Sequence, residues 1–194
     1  MTSKFAIALS ASVLALAACG KKDTTATDNS AVENTMAVDN SLGGNAAETI
    51  APLPNSAQGF ANTAAASDKF EIESSKLAAT NGQSAAVKAF ATKMITAHEG
   101  STAKLKTTVA GLSPVVTPDD TLSATQQQDL DNLKGLNGTA FDTAYAAAQV
   151  KAHEDALAAL KAYSSAGDTP KLKDFANGLI PNVTAHLNMA KGLK

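Results

Sequence analysis

The sequence predicts an all-α protein, a four-helix bundle with a short extra helix in the connection between helices two and three. Three observations lead there. From about residue 58 the chain is alanine-rich, and all 194 residues include no tryptophan and only two tyrosines and six phenylalanines. It lacks the Val/Ile/Thr alternation that marks half-buried strands. Four long stretches instead repeat apolar residues at helical spacing, and Gly or Pro breaks separate them.

Helix one is expected from about Gln58 to Thr80, ending at Asn81-Gly82, a helix-stop pair. Its bulky residues Phe60, Phe70, Ile72 and Leu77 form no single stripe. If Phe70 and Ile72 flank the buried face, Glu71 points to its centre, in line with Phe60, Ala64, Ser67, Ser74 and Ala78; if Leu77 defines the face, Glu73 is the alternative inward carboxylate. Helix two, about Ser84 to Ala110, is clearer, because Val87, Phe90, Ala91, Met94, His98, Thr102, Leu105 and Val109 fall on one face.

Gly111, Pro114 and Pro118 then break the chain, a short helix follows from about Ser123 to Leu133, and Gly135 and Gly138 break it again. Helix three, about Thr139 to Ser164, turns Phe141, Tyr145, Ala148, Ala152, Ala156 and Leu160 inward, with His153 on the flank of that face. The turn Gly167-Asp168-Thr169-Pro170 opens helix four, which presents Leu172, Phe175, Ala176, Leu179, Val183, His186, Ala190 and Leu193 and places Pro181 on the opposite, solvent side.

The N-terminal region has another character. Lys4 followed by the apolar run Phe5 to Ala18 reads as a secretory signal, too short and too rich in small residues for a spanning helix. Leu16-Ala17-Ala18-Cys19 resembles the bacterial lipobox, and the resemblance implies that Cys19, the single cysteine, becomes the lipidated first residue of a lipoprotein. Several acyl chains anchor stably where one does not. Gly20 after the cysteine leans towards the outer membrane. Residues 19–57, rich in Thr, Asn, Asp, Ser and Gly, read as a tether without a core of their own. The expected organisation is a signal peptide over 1–18, lipidated Cys19 with a disordered tether over 19–57, and the bundle over 58–194. That makes a lipid-anchored protein of the bacterial cell envelope facing the periplasm.

Several functions are disfavoured. With 16 basic and 18 acidic residues and no basic stripe interleaved with aromatics, nucleic acid is not an expected partner. A nucleophile elbow, a phosphate-cradling glycine loop, CxxC and HExxH are all missing, which argues against an enzyme. The four methionines do not cluster, and only Met94 shares a stripe with a histidine.

The three histidines carry the functional signal, because His98, His153 and His186 each occupy the apolar side of a different long helix. An imidazole buried without a partner costs roughly 1–3 kcal/mol, so such a ring needs hydrogen bonds or a metal. His98 stands 16 residues beyond Gly82, and His153 and His186 stand 15 before and 18 after Asp168. Those counts correspond to depths of about 22–27 Å, so the rings share a layer to within about one turn in either an up-down-up-down bundle or one with a long crossover.

The segments Lys69 to Ala78, Val87 to Ile95 with His98, Phe141 to Tyr145, His153, Leu172 to Ala176, Leu179-Ile180-Pro181 and His186-Leu187 together resemble the bacterial family known as domain of unknown function 4142, often described as predicted outer-membrane or exported proteins. The resemblance spans Phe60 to Leu193 and implies a ferritin-like bundle without an assigned activity. Ferritin-like di-iron sites use Glu-x-x-His on two helices. Here Ile95, Val150 and Val183 stand three residues before the histidines, which disfavours such a site.

Two readings stay open. One is a single transition ion, Zn, Fe, Mn or Cu, held by His98, His153 and His186 with Glu71 or Glu73 as a further ligand. Glu71, 11 residues before Gly82, lies about 7 Å off the level of His98 on this counting. The other is a structural, stress-related or partner-binding envelope module in which the histidines form a buried polar layer, with an exposed apolar patch as its expected sign. No protein partner can be named from the sequence.

Overall fold

The computed structural model describes residues 55–193 and consists of five α-helices: α1 (Ala57–Asn81), α2 (Ala85–Val109), α3 (Ala124–Lys134), α4 (Gly138–Ala166) and α5 (Pro170–Lys191). This is the all-α, ferritin-like four-helix bundle expected, with α3 as the short extra helix and α4 and α5 as the third and fourth long ones. The signal segment, Cys19 and the tether as far as residue 54 lie outside the described residues. Residues 55–57 belong to the folded domain instead: Ser56 caps α1, accepting from the Gly59 backbone N–H at 3.1 Å, and Ala57 begins the helix.

Local chemistry sets the boundaries. Ser123 and Gln126 form a reciprocal capping box at the start of α3. Pro170 occupies the first turn of α5, where its missing N–H costs nothing. α2 lacks a side-chain cap from its own Ser84, and Asp142 of α4 instead holds the two residues that lead into it. The Asp142 carboxylate accepts from the Gln83 N–H at 3.1 Å and the Ser84 N–H at 2.7 Å. Gly82 makes room for this approach, since a Cβ there would stand 2.6 Å from the Ala78 carbonyl oxygen and 3.2 Å from Asp142 Oδ1.

These contacts also fix the topology. Asp142 near the start of α4 touches the start of α2, and Asp168 before α5 accepts from the Ala57 N–H at the start of α1 at 3.2 Å. So α2 and α4 run parallel, and α1 and α5 run antiparallel to them. The 110–137 connection traverses the whole bundle alongside α1. Gln58 bonds Thr117 at one end, Lys69 meets Asp120 further along, and Asn81 donates to the Leu136 carbonyl at the other end. Of the two topologies left open by the sequence, the long crossover is the one adopted.

The core is divided. At one end Phe60 stacks on Tyr163 with ring centroids 4.0 Å apart and meets Phe175 edge-on, in a cluster with Leu105, Val109, Leu160 and Leu172. At the other end Phe141 stacks on Tyr145 among Val87, Phe90, Met94 and Leu133. Neither cluster includes the buried Asp68, Glu71, Ser74, Ser75, His98, Gln149 or His153. With Asp142 they are the buried polar and charged side chains among the described residues.

Candidate metal centre

Three helices bring one imidazole each to a common point. The His98, His153 and His186 ring centroids are 5.6–5.9 Å apart pairwise, and one ligand nitrogen from each ring lies within 4.8 Å of the others. His98 and His153 are buried, and His186 is half-buried. The shared layer expected from counting along the hairpins is therefore present. The 4.8 Å limit on their separation is looser than the 3–4 Å of a closed coordination shell, and far inside the 8 Å beyond which shared coordination is impossible.

His153 sits deeper than expected. On α4 the buried positions are Phe141, Asp142, Tyr145, Gln149, His153, Leu160 and Tyr163, while Ala148, Ala152 and Ala156 are half-buried. The inward face is thus rotated by one residue, about 100°, from the alanine stripe. Alanines bury too little area to define a face, and the larger Tyr145, Gln149 and His153 define it instead.

Hydrogen bonds orient the rings. His153 Nδ1 lies 2.8 Å from the Gln149 carbonyl oxygen, which can only accept, so Nδ1 carries the proton and the lone pair is on Nε2. His98 Nδ1 lies 2.8 Å from Asp68 Oδ1, and Asp68 Oδ2 accepts from the Thr102 hydroxyl at 3.1 Å. A carboxylate behind an imidazole is the usual outer-shell device of metal sites, because it fixes the ring and raises its basicity. His98 Nε2, His153 Nε2 and His186 Nδ1 are all buried without a hydrogen-bond partner. One orphaned nitrogen on each of three clustered rings is an expensive arrangement for a purely structural layer, since each lost partner costs roughly 1–3 kcal/mol.

Glu71 also reaches this layer. Its Oε1 stands 3.5 Å from His153 Nδ1, a contact rather than a hydrogen bond because that proton is committed to Gln149, and neither carboxyl oxygen has a partner. The axial offset expected for Glu71 was measured against His98, whereas its neighbour is His153 on α4. Glu73 is only half-buried and lines a surface groove with Lys69, Ile72 and Lys76, away from the histidines. Of the two candidate carboxylates, Glu71 is the inward one.

The electrostatics follow from burial and pairing. Burial pushes the Glu71 carboxyl up to about 7, although a charge on His98 opposes this. Burial lowers His153 and His186 to about 4, so both are neutral, with lone pairs available, at neutral pH. Burial also disfavours the His98 cation, but the Asp68 hydrogen bond and the Glu71 charge outweigh it and raise the His98 pKa.

Asp68 is the functional residue missing from the sequence-based candidates, yet a signal for it exists. It lies 14 residues before Gly82 and His98 lies 16 after, a mismatch of two residues or about 3 Å. It also shares a helical face with Glu71, Ser75 and Ala78 at i+3, i+7 and i+10.

Comparison with known proteins adds the following. Residues 43–193 match a family described as Domain of unknown function (DUF4142). No curated protein matches the chain significantly. Among solved structures the chain is similar to one titled "CopM in the Cu(II)-bound form", with a TM-score of 0.60 and 16% identity over 71% of this chain and 94% of that one. At that identity the likeness speaks for the fold.

Proposed function

Since the chain belongs to the DUF4142 family, whose description assigns no activity, we propose a function from its own side chains: it binds one transition-metal ion through His98, His153 and His186. The observation that carries this reading is the trio of buried, unpartnered nitrogens, His98 Nε2, His153 Nε2 and His186 Nδ1. Asp68 and the Gln149 carbonyl hold the far side of two of the rings, leaving those nitrogens as the donors. Metal–nitrogen bonds of about 2.1 Å put tetrahedral ligand nitrogens about 3.4 Å apart. From a spread of up to 4.8 Å the rings close by roughly an ångström, and the half-buried His186 is the freest to move. Glu71 supplies a nearby carboxyl to balance the charge of the ion or to complete its shell.

Copper(II) is the first ion to test. It heads the affinity order for nitrogen donors, and the similarly folded CopM is described with Cu(II) bound. Zn, Fe and Mn are the competing ions. The location that goes with this reading is the bacterial envelope, with the bundle tethered to the outer membrane through lipid on Cys19. The protein then holds or carries metal near that surface.

Titration of untagged, metal-stripped protein with Cu(II) and Zn(II) tests the proposal, read by calorimetry and by the copper EPR spectrum. One ion per chain with nitrogen hyperfine structure is expected, together with its loss in His98→Ala, His153→Ala and His186→Ala. Absence of binding and of any thermal shift with Cu, Zn, Fe or Mn would leave the histidines as a structural polar layer. The partner-binding alternative gains little from the surface, because among the described residues Val115 is the large hydrophobic side chain left exposed, too small an area for an apolar patch.

A further inference from the structure

A cavity of about 160 Å³ lies on one side of the imidazole cluster. His98 and His186 form part of its wall, together with the apolar Phe60, Leu160, Leu179 and Val183 and the polar Thr63, Ser67, Ser101 and Asn182, whereas His153 and Glu71 do not line it. The cluster therefore has two unlike sides. Towards Glu71 and His153 it is closed by buried protein, and on the other side two of its rings border the cavity. Each of the two rings in the cavity wall has a buried nitrogen without a partner. Asp68 also borders the cavity, but its oxygens are committed to His98 and Thr102.

The size and chemistry of this space are selective. An apolar protein cavity of about 150 Å³ holds benzene, so one of about 160 Å³ admits a single five- or six-membered ring. A ring with one donor atom would place that atom on the ion and its carbon edge against Phe60, Leu160 and Leu179.

We infer that the cavity is a ligand position on the metal, one that takes a small neutral heteroaromatic molecule with a single nitrogen donor. This rests on the metal reading above and adds the ligand class and the side of approach. The step is a substitution: the incoming nitrogen donates its lone pair to the ion and a bound water leaves, with no change of oxidation state. The three imidazoles hold the ion, and the cavity sorts ligands by size and polarity.

The test uses the whole protein loaded with Cu(II), titrated with imidazole and followed by EPR and visible absorption. A saturable spectral change with the ion still bound to protein is expected. Ala64 lines the cavity, so Ala64→Phe should fill it, leaving the copper spectrum in place while weakening the imidazole response at least tenfold. Should Ala64→Phe fail to fold, Leu160→Ala serves the same purpose in reverse: enlarging the cavity should admit benzimidazole, which the parent protein excludes. A copper site with normal nitrogen hyperfine structure that ignores imidazole would overturn this inference and leave the metal reading standing. So would an equal response in Ala64→Phe, or copper stripped from the protein by imidazole. Failure to bind copper, zinc, iron or manganese would remove the metal reading and this one with it.

Discussion

The substitution Asp68→Asn isolates the charge behind His98 from its geometry. Asp68 accepts from His98 Nδ1 at 2.8 Å and from Thr102 Oγ1 at 3.1 Å. Asparagine has the same shape: its carbonyl oxygen can still accept from the ring N–H, and its amide can donate to the Thr102 hydroxyl, which also accepts. What disappears is the negative charge that raises His98 basicity, and outer-shell losses of this type lower metal affinity about 10–100-fold. A factor of ten is about 1.4 kcal/mol, so the expected cost is about 1.4–2.8 kcal/mol. Proton competition works against this cost at low pH. Asp68 helps raise the His98 pKa, so at acidic pH the incoming ion must displace a proton that the asparagine variant holds less tightly. The loss in Cu(II) affinity should therefore be larger at pH 8 than at pH 6. Competition with a chromogenic chelator at the two pH values measures it. An unchanged affinity at pH 8 would refute the role assigned to His98, and so would an equal loss in Asp142→Asn, whose carboxylate accepts from Gln83 and Ser84 at the start of α2, about four turns from His98.

The remaining expectations concern the metal-free domain and its scaffold. His153 and His186 have folded-state pKa values of about 4, below their ordinary 6.5; the unfolded chain binds the extra protons between these values, so thermal stability should fall as pH drops from about 6.5 towards 4. Glu71 acts in the opposite sense, because its pKa is raised from 4.5 to about 7: its contribution is complete below 4.5 and is lost as pH rises through 7. Glu71→Gln should then gain unfolding free energy relative to the parent as pH rises from 4.5 to 7, by at most about 3 kcal/mol for a shift of this size, and a pH-independent difference would contradict it. Asp142→Ala should destabilise the fold by about 1–3 kcal/mol in denaturant unfolding, because the Gln83 and Ser84 N–H groups lose their shared acceptor, while leaving Cu(II) affinity unchanged.

Much of the bundle was legible because helical spacing and Gly/Pro breaks act locally. The stretches centred on Phe90, Met94 and His98, and on Phe175, Val183 and His186, had bulky residues to mark their faces. α1 and α4 were harder to read. In α4 the abundant alanines point every way, and the face was decided by Gln149 and His153, whose burial depends on neighbours far away in sequence. In α1 the interior includes Asp68, Glu71, Ser74 and Ser75, and polar residues on a helix ordinarily signal solvent. What made Asp68 an interior residue is His98, 30 positions further along. The pairing of Glu71 with His153 was out of reach for a related reason, since counting from the α1–α2 turn cannot measure height against a helix of the other hairpin.

The arrangement of hairpins has a consequence for motion. α1 packs most extensively on α2, and α4 on α5, with slighter contact across the seam between the two pairs. His98 belongs to the first pair, His153 and His186 to the second. An ion held by all three spans that seam like a clasp. At a free concentration a hundredfold above its dissociation constant it would oppose separation of the pairs by about 2.7 kcal/mol. Amide hydrogen exchange and protease cleavage along the seam would then slow with occupancy, so the supply of metal around the domain would be recorded in how often its two halves part.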